Sequence, residues 1–238
     1  MRPLHECRLY AFVDTTYLGG RAPEFVAQQL CDGGADLIQL RAKESPPNEI
    51  RRLAEAILPV TRQAGIGLVI NDYPTLAYEV GAEFCHLGQV DFFGAGYTHV
   101  SQLTEAMNSR RAPGGMHQVR GPHVKFGLST RTTEEAGLAV AAGAEYLGVG
   151  PVYPTGTKPS AQPVKLEYVR WAAANLRLPW FAIGGITLDN LDDVLASGAQ
   201  RICVVSAILC AADPAAACRK FKDRLGGAPA SSVKLSRP

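Results

Sequence analysis

Gly34-Ala35-Asp36-Leu37-Ile38-Gln39-Leu40 is the stretch on which the fold turns, because its pattern returns three times. Gly81-Ala82-Glu83 precedes Phe84 to Leu87, Gly143-Ala144-Glu145 precedes Tyr146 to Val149, and Gly198-Ala199-Gln200 precedes Arg201 to Val205. Each time, a glycine suited to the left-handed end of a helix is followed by a short apolar run, so a helix hands over to a strand. The phrases stand 47, 62 and 55 residues apart. One strand-helix unit takes roughly 25 to 30 residues, so each interval holds two units and only every second strand carries the phrase. The intervening strands fall at Arg8 to Val13, Gly67 to Asn71, Val124 to Leu128 and Trp180 to Ile183, which makes eight. Between them lie helical stretches. Glu49 to Thr61 places Ile50, Leu53, Ile57 and Leu58 on one face, and another helix opens with Thr132 and Glu135 spaced as a capping box and closes at Gly143. Alternating strands and helices imply a parallel sheet, and eight paired units predict an α/β fold, a single (β/α)8 TIM barrel. An open doubly wound sheet is the alternative.

The composition bounds the function. The 238 residues carry 24 Lys plus Arg against 22 Asp plus Glu, a formal net charge of +2, and 47% hydrophobic side chains. That is enough for one large core. Charged residues are only 19%, and basic pairs such as Arg51-Arg52 and Arg110-Arg111 are scattered, which argues against nucleic acid as a partner. No apolar run approaches the roughly 20 residues of a bilayer span, and Met1 to Tyr10 has no signal-like apolar stretch, so a cytoplasmic protein without membrane contact is expected. Six cysteines, at 7, 31, 85, 203, 210 and 218, lack zinc-site spacing and read as reduced. Residues 1–225 are expected to form the barrel domain. Residues 108–123, rich in Arg, Gly and Pro, read as a flexible loop on the face away from the chemistry, and 226–238 as a disordered tail.

Barrels of this type carry their chemistry at strand C-terminal ends. The second strand ends Gln39-Leu40-Arg41-Ala42-Lys43, where alternation turns Gln39, Arg41 and Lys43 to one side. Two cations and an amide suit a phosphate or diphosphate, against the plainer reading of a solvated basic strand end. The third strand ends at Asn71-Asp72 and the fourth at His86-Leu87-Gly88-Gln89, followed by Asp91. Asp72 and Asp91, beside a diphosphate site and without a His or Cys cluster, suit Mg²⁺ shared with substrate oxygens; ordinary capping aspartates are the alternative. His86 reads as a core histidine. The sixth strand runs into Gly150 to Pro159, a turn-rich loop with Thr155, Thr157 and Lys158. After the seventh come Gly184-Gly185, with Thr187 placed to cap a helix, and after the eighth Val205-Ser206-Ala207. Paired amides in those two positions are where many barrels hold a phosphate.

Laid out this way, the chain resembles the thiamine phosphate synthase family from about Leu9 to Leu225. The motifs carrying the likeness are Gln39-Leu40-Arg41-x-Lys43, Ile70-Asn71-Asp72, His86-Leu87-Gly88-Gln89-x-Asp91, Gly127-Leu128-Ser129-Thr130, Gly148-Val149-Gly150-Pro151 with Thr155-x-Thr157-Lys158-Pro159, Ala182-Ile183-Gly184-Gly185-Ile186 and Val204-Val205-Ser206-Ala207-Ile208. The resemblance implies a transferase joining hydroxymethylpyrimidine diphosphate to hydroxyethylthiazole phosphate through a dissociative carbocation step, with thiamine phosphate and diphosphate as products. It further implies that Gln39, Arg41, Lys43, Asn71, Ser129 and Lys158 surround the pyrimidine diphosphate, with Arg41, Lys43, Ser129 and Lys158 catalytic. Asp72 and Asp91 would hold Mg²⁺, and Thr155, Thr157, Gly185, Val205 and Ser206 the thiazole phosphate. The partners implied are small molecules, and a homo-oligomer stays open.

The chain departs from the family pattern where Arg often follows the Asn-Asp pair, since Tyr73 stands there, and at the first strand end, where Asp14 receives no role. Two other readings are carried. One is an isomerase like the thiazole tautomerase, whose relatives carry a histidine where this chain has Arg131, a poor base. The other is a non-catalytic barrel that binds thiazole phosphate.

Overall fold

Eight strands, β1 (Leu9–Asp14), β2 (Leu37–Arg41), β3 (Gly67–Asn71), β4 (Phe84–Leu87), β5 (Lys125–Thr130), β6 (Tyr146–Val149), β7 (Trp180–Ile183) and β8 (Ile202–Val204), pair in parallel with their sequence neighbours, and β8 pairs with β1 to close the barrel. The computed structural model describes residues 1–109, 123–157 and 161–226. Around the barrel run α1 (Pro23–Asp32), α2 (Pro47–Gln63), α3 (Pro74–Val80), α4 (Gln89–Phe92), α5 (Ser101–Ser109), α6 (Thr133–Ala141), α7 (Lys165–Asn175), α8 (Leu191–Ala196), α9 (Ser206–Leu209) and α10 (Pro214–Gly226). The strands lie within one or two residues of their expected places. Gly226, expected in the tail, ends α10 instead, and 227–238 lie outside the described residues, as does most of the expected 108–123 loop.

The repeated phrase has a physical cause. Its glycines, Gly34, Gly81, Gly143 and Gly198, all adopt positive φ between 78° and 94°, the left-handed turn that ends a helix and costs an L side chain about 1 kcal/mol. The acid that follows reaches back to the strand before. Asp36 Oδ2 accepts the amides of Arg8 and Leu9 at the start of β1, Glu83 that of Leu68 in β3, and Glu145 that of Phe126 in β5. β2, β4 and β6 are thus each preceded by the acceptor that fixes early amides of the odd strand before them, which ties the phrase to alternate strands.

Two apolar layers hold the assembly. Between sheet and helices, fully buried Leu30 and Ile57 pack on the outward residues of the strands, each contributing about 1.5–3 kcal/mol. Inside the barrel, Tyr10, Phe84, Tyr146 and Phe181 meet edge to face, and Phe12 stacks on Tyr10. Room for these rings comes from glycine: a Cβ on Gly127 would overlap the Tyr146 ring. The aromatic filling plugs the barrel from below, so polar groups at the strand C-terminal ends face an open mouth.

Helix starts depart from expectation in two places. Thr132 Oγ1 does accept from Glu135 N at 3.2 Å, but the Glu135 carboxylate reaches Arg131 N at 2.7 Å rather than completing the box on Thr132. Thr187 does not cap α8. That helix opens at Leu191 behind Asn190, whose side chain accepts from Thr187 N and donates to Gly185 O, both at 2.9 Å, bracing the glycine turn after β7.

Candidate active site

A cavity of about 310 Å³ opens at the strand C-terminal ends. Its wall includes Gln39, Arg41, Lys43, Asn71, Asp72, Asp91, Ser129, Thr155, Thr157, Gly185, Val205 and Ser206. Every described residue that the sequence proposed for the site is therefore gathered into one pocket; Lys158 lies outside the described residues. The floor is aromatic, with Tyr10, Phe12, Tyr146 and Phe181, a surface suited to flat rings and to cations.

Strand β2 supplies the first groups. Gln39 is buried inside the barrel and donates to the Tyr10 hydroxyl at 2.6 Å. Arg41, one alternation further, donates Nη1 to Asp14 Oδ2 at 2.7 Å and Nη2 to the carbonyl of Thr157 at 3.3 Å. Lys43, beyond the strand, stands 3.3 Å from Asp72 Oδ2 and is nearly half exposed. Tyr73, in place of the family's Arg, packs its ring against the core instead.

Asp72 takes φ of 63°, an uncommon conformation for a residue other than glycine, and anchors its amide on the carbonyl of His86 at 2.9 Å. Burial pushes its carboxyl above the usual carboxylate range, and the nearby Asp91 charge pushes the same way while Lys43 opposes. Two carboxylates that each resent the other's charge are the electrostatic complement of a divalent cation. Among the described residues no group of three or more His, Cys, Asp or Glu forms a complete metal cage. The donor set accordingly fits a hard cation that takes its remaining oxygens from substrate and water rather than from protein alone.

Strand β5 ends beside this pair. Ser129 Oγ lies 2.9 Å from His86 Nε2, and its carbonyl accepts from Gln89 Nε2 at 2.6 Å. His86 borders the cavity, rests its ring on Tyr146 at 5.5 Å between centroids, and has Nδ1 sealed without a partner among the described residues. Burial lowers its pKa from 6.5 to about 4, so the ring is neutral. An unpartnered buried N–H is costlier than an unpartnered lone pair, which assigns the proton to Nε2. His86 then donates to Ser129 and leaves the serine O–H free to donate into the cavity. The expected core histidine is thus half satisfied and part of the site.

The loops after β6 and β7 interlock. Val152 N donates to Ile183 O at 2.8 Å and Tyr153 N to Gly184 O at 3.1 Å. A Cβ on Gly185, at φ of 64°, would lie 2.5 Å from Pro154 O and 2.7 Å from Tyr153 Cβ, so glycine is demanded there by the neighbouring loop. Past Pro154 the chain crosses the mouth toward β1 and β2, where Thr157 Oγ1 meets the Tyr17 hydroxyl at 3.1 Å. After β8 comes short α9, whose first residue, Ser206, lines the same cavity as Gly184 and Gly185.

Sequence reasoning gave no role to Asp14, Tyr17 or Gln89. Asp14 carried a signal, being the lone acid at the end of the otherwise apolar β1; Tyr17 carried none, because its partner lies 140 residues away.

A closed (β/α)8 barrel whose mouth sets cations and paired carboxylates on one side and a glycine turn with a short helix on the other belongs to the class of barrels that take phosphorylated small molecules. The sequence pattern of the thiamine monophosphate synthase family matches residues 9–208. Thiamine-phosphate synthase of Thermus thermophilus is 44% identical over 196 residues, 82% of this chain and 85% of the relative. That of Methanospirillum hungatei is 39% identical over 219 residues, 92% and 97% of the two chains. The solved thiamine phosphate pyrophosphorylase of Pyrococcus furiosus superimposes with a TM-score of 0.78 at 26% identity, covering 95% of this chain and 99% of that one. The chain belongs to the thiamine monophosphate synthase family.

Proposed function

We propose that this protein joins hydroxymethylpyrimidine diphosphate to hydroxyethylthiazole phosphate and releases thiamine phosphate and diphosphate, acting in the cytoplasm on free small molecules. The observation that carries the reading is the convergence of the family's motif residues, from β2 through β8, on one cavity. Among the described residues no helix is long and apolar enough to cross a membrane.

Gln39, Arg41, Lys43, Asn71, Ser129 and Lys158 bind the diphosphate end, and Thr155, Thr157, Gly185, Val205 and Ser206 the thiazole phosphate. Asp72 and Asp91 would hold Mg²⁺, which when bound supplies charge that the leaving oxygens share. The bond between the pyrimidine methylene carbon and the diphosphate oxygen breaks, and its electron pair leaves with diphosphate. Arg41, Lys43 and Lys158 would supply positive charge to the oxygens where that charge gathers. The methylene cation sits over the aromatic floor, and the thiazole ring nitrogen closes the new C–N bond with its lone pair. No proton moves between substrates, so orientation and charge suffice and no general base is required.

The test is direct. Purified protein, both substrates and Mg²⁺ should yield thiamine phosphate and diphosphate in equal amounts. Failure to form thiamine phosphate at any Mg²⁺ concentration would reject the reading.

A further inference from the structure

The geometry points to Asp14 as the positioning residue of the mouth: its two carboxylate oxygens fix the same loop residue, Thr157, by separate routes. Asp14 is the last residue of β1 and is completely buried, where an ionised carboxylate persists only if both oxygens are bonded. Both are. Oδ2 accepts from Arg41 Nη1 at 2.7 Å, and the far side of that guanidinium donates to the Thr157 carbonyl at 3.3 Å. Oδ1 accepts from Thr16 N at 3.0 Å and thereby sets the turn Thr15–Tyr17, which delivers the Tyr17 hydroxyl to 3.1 Å from Thr157 Oγ1.

The convergence is not a matter of neighbourhood. β6, whose following loop carries Thr157, lies across the closed barrel from β2, so that loop must span the mouth to reach either partner. One buried charge therefore ties the cation of one wall to the hydroxyl loop of the other. A guanidinium has five N–H groups, and fixing one on Asp14 and another on Thr157 fixes the directions in which the rest face the cavity. Resting on the function proposed above, the inference is that Asp14 aligns the diphosphate end with the thiazole phosphate end without touching either.

A double-mutant cycle tests it. Asp14→Asn keeps an oxygen for Thr16 N and removes the ion pair, and should lower kcat/KM for the pyrimidine diphosphate roughly 10- to 100-fold, the range for a hydrogen bond to a charged group. In the Arg41→Ala background the same change should cost less than about twofold, because its route through Arg41 is already gone. Tyr17→Phe should raise KM for thiazole phosphate about 3- to 10-fold and leave KM for the pyrimidine diphosphate unchanged. Equal losses from Asp14→Asn in both backgrounds overturn the proposal. Should Asp14→Asn fail to fold by circular dichroism, Tyr17→Phe decides alone, and an unchanged thiazole phosphate KM overturns it. The parent is assayed first. An inactive parent rejects the proposed function, whereas an active parent with an additive cycle rejects only the role of Asp14.

Discussion

His86 offers a measurement of the site through stability alone. Its pKa falls from 6.5 to about 4 on folding, because the neutral ring is held between Tyr146 and Ser129 with Nδ1 sealed. Between those two pH values the unfolded chain binds a proton that the folded chain refuses, so stability is fully present above 6.5 and is lost as pH falls toward 4. At 1.36 kcal/mol per pH unit, the complete loss is about 3 kcal/mol; because the ring borders the open cavity, solvent screening trims the expected loss to about 1–3 kcal/mol. Urea unfolding at pH 7, 6, 5 and 4 should show this slope in the parent. His86→Gln keeps a donor for Ser129 but has no titrating nitrogen, and should flatten the curve by the same amount. Carboxylates elsewhere contribute equally to both proteins, so the difference isolates the imidazole. Parallel curves for parent and variant would show that His86 titrates normally and that the neutral donor to Ser129 is wrong.

Asp91→Asn and Asp72→Asn should each raise the Mg²⁺ concentration needed for half-maximal activity by roughly tenfold or more; an unchanged Mg²⁺ titration in both removes the metal assignment. Gly185→Val should weaken both substrates and lower stability by about 1–3 kcal/mol, because the new Cβ strikes Pro154 and Tyr153. Calorimetric binding of each substrate checks this, and a loss confined to thiazole phosphate would contradict it. Lys158→Ala should slow bond cleavage about 10²- to 10³-fold with little change in substrate affinity, the loss typical of a donor to developing charge, and rapid-quench single turnover at the parent rate would withdraw the role.

Strand positions and barrel closure were legible because glycine at Gly34, Gly81, Gly143 and Gly198 answers a local demand that any sequence window displays. The strand-end residues were legible for a related reason: in this fold the topology alone carries Arg41, Asp72, Ser129 and Ser206 to one face, so finding the strands finds the site. What escaped depends on contacts between distant segments. Nothing near Gly185 in sequence tells that Pro154 presses on it. The proton state of His86 likewise needed the Tyr146 ring, which arrives from β6.

The same contacts decide between alkyl transfer and a proton-moving isomerase. Proton transfer needs an acid-base group with a free lone pair facing substrate. Among the described residues at the mouth, three of those that could serve are already engaged. The Asp14 carboxylate is shared between Arg41 and Thr16 N, and the Glu135 carboxylate between the amide and the guanidinium of Arg131. His86 spends its Nε2 proton on Ser129, and its Nδ1 lone pair is sealed from the cavity. Asp72 and Asp91 remain, and the function proposed above assigns that pair to Mg²⁺ rather than to a shuttled proton. A wall in which bases are tied down while cations and hydroxyls point inward can receive a departing anion and hold a flat carbocation over aromatic rings. It is ill equipped to pass a proton along a thiazole. The reaction that asks only for charge and alignment is the one for which this mouth is built.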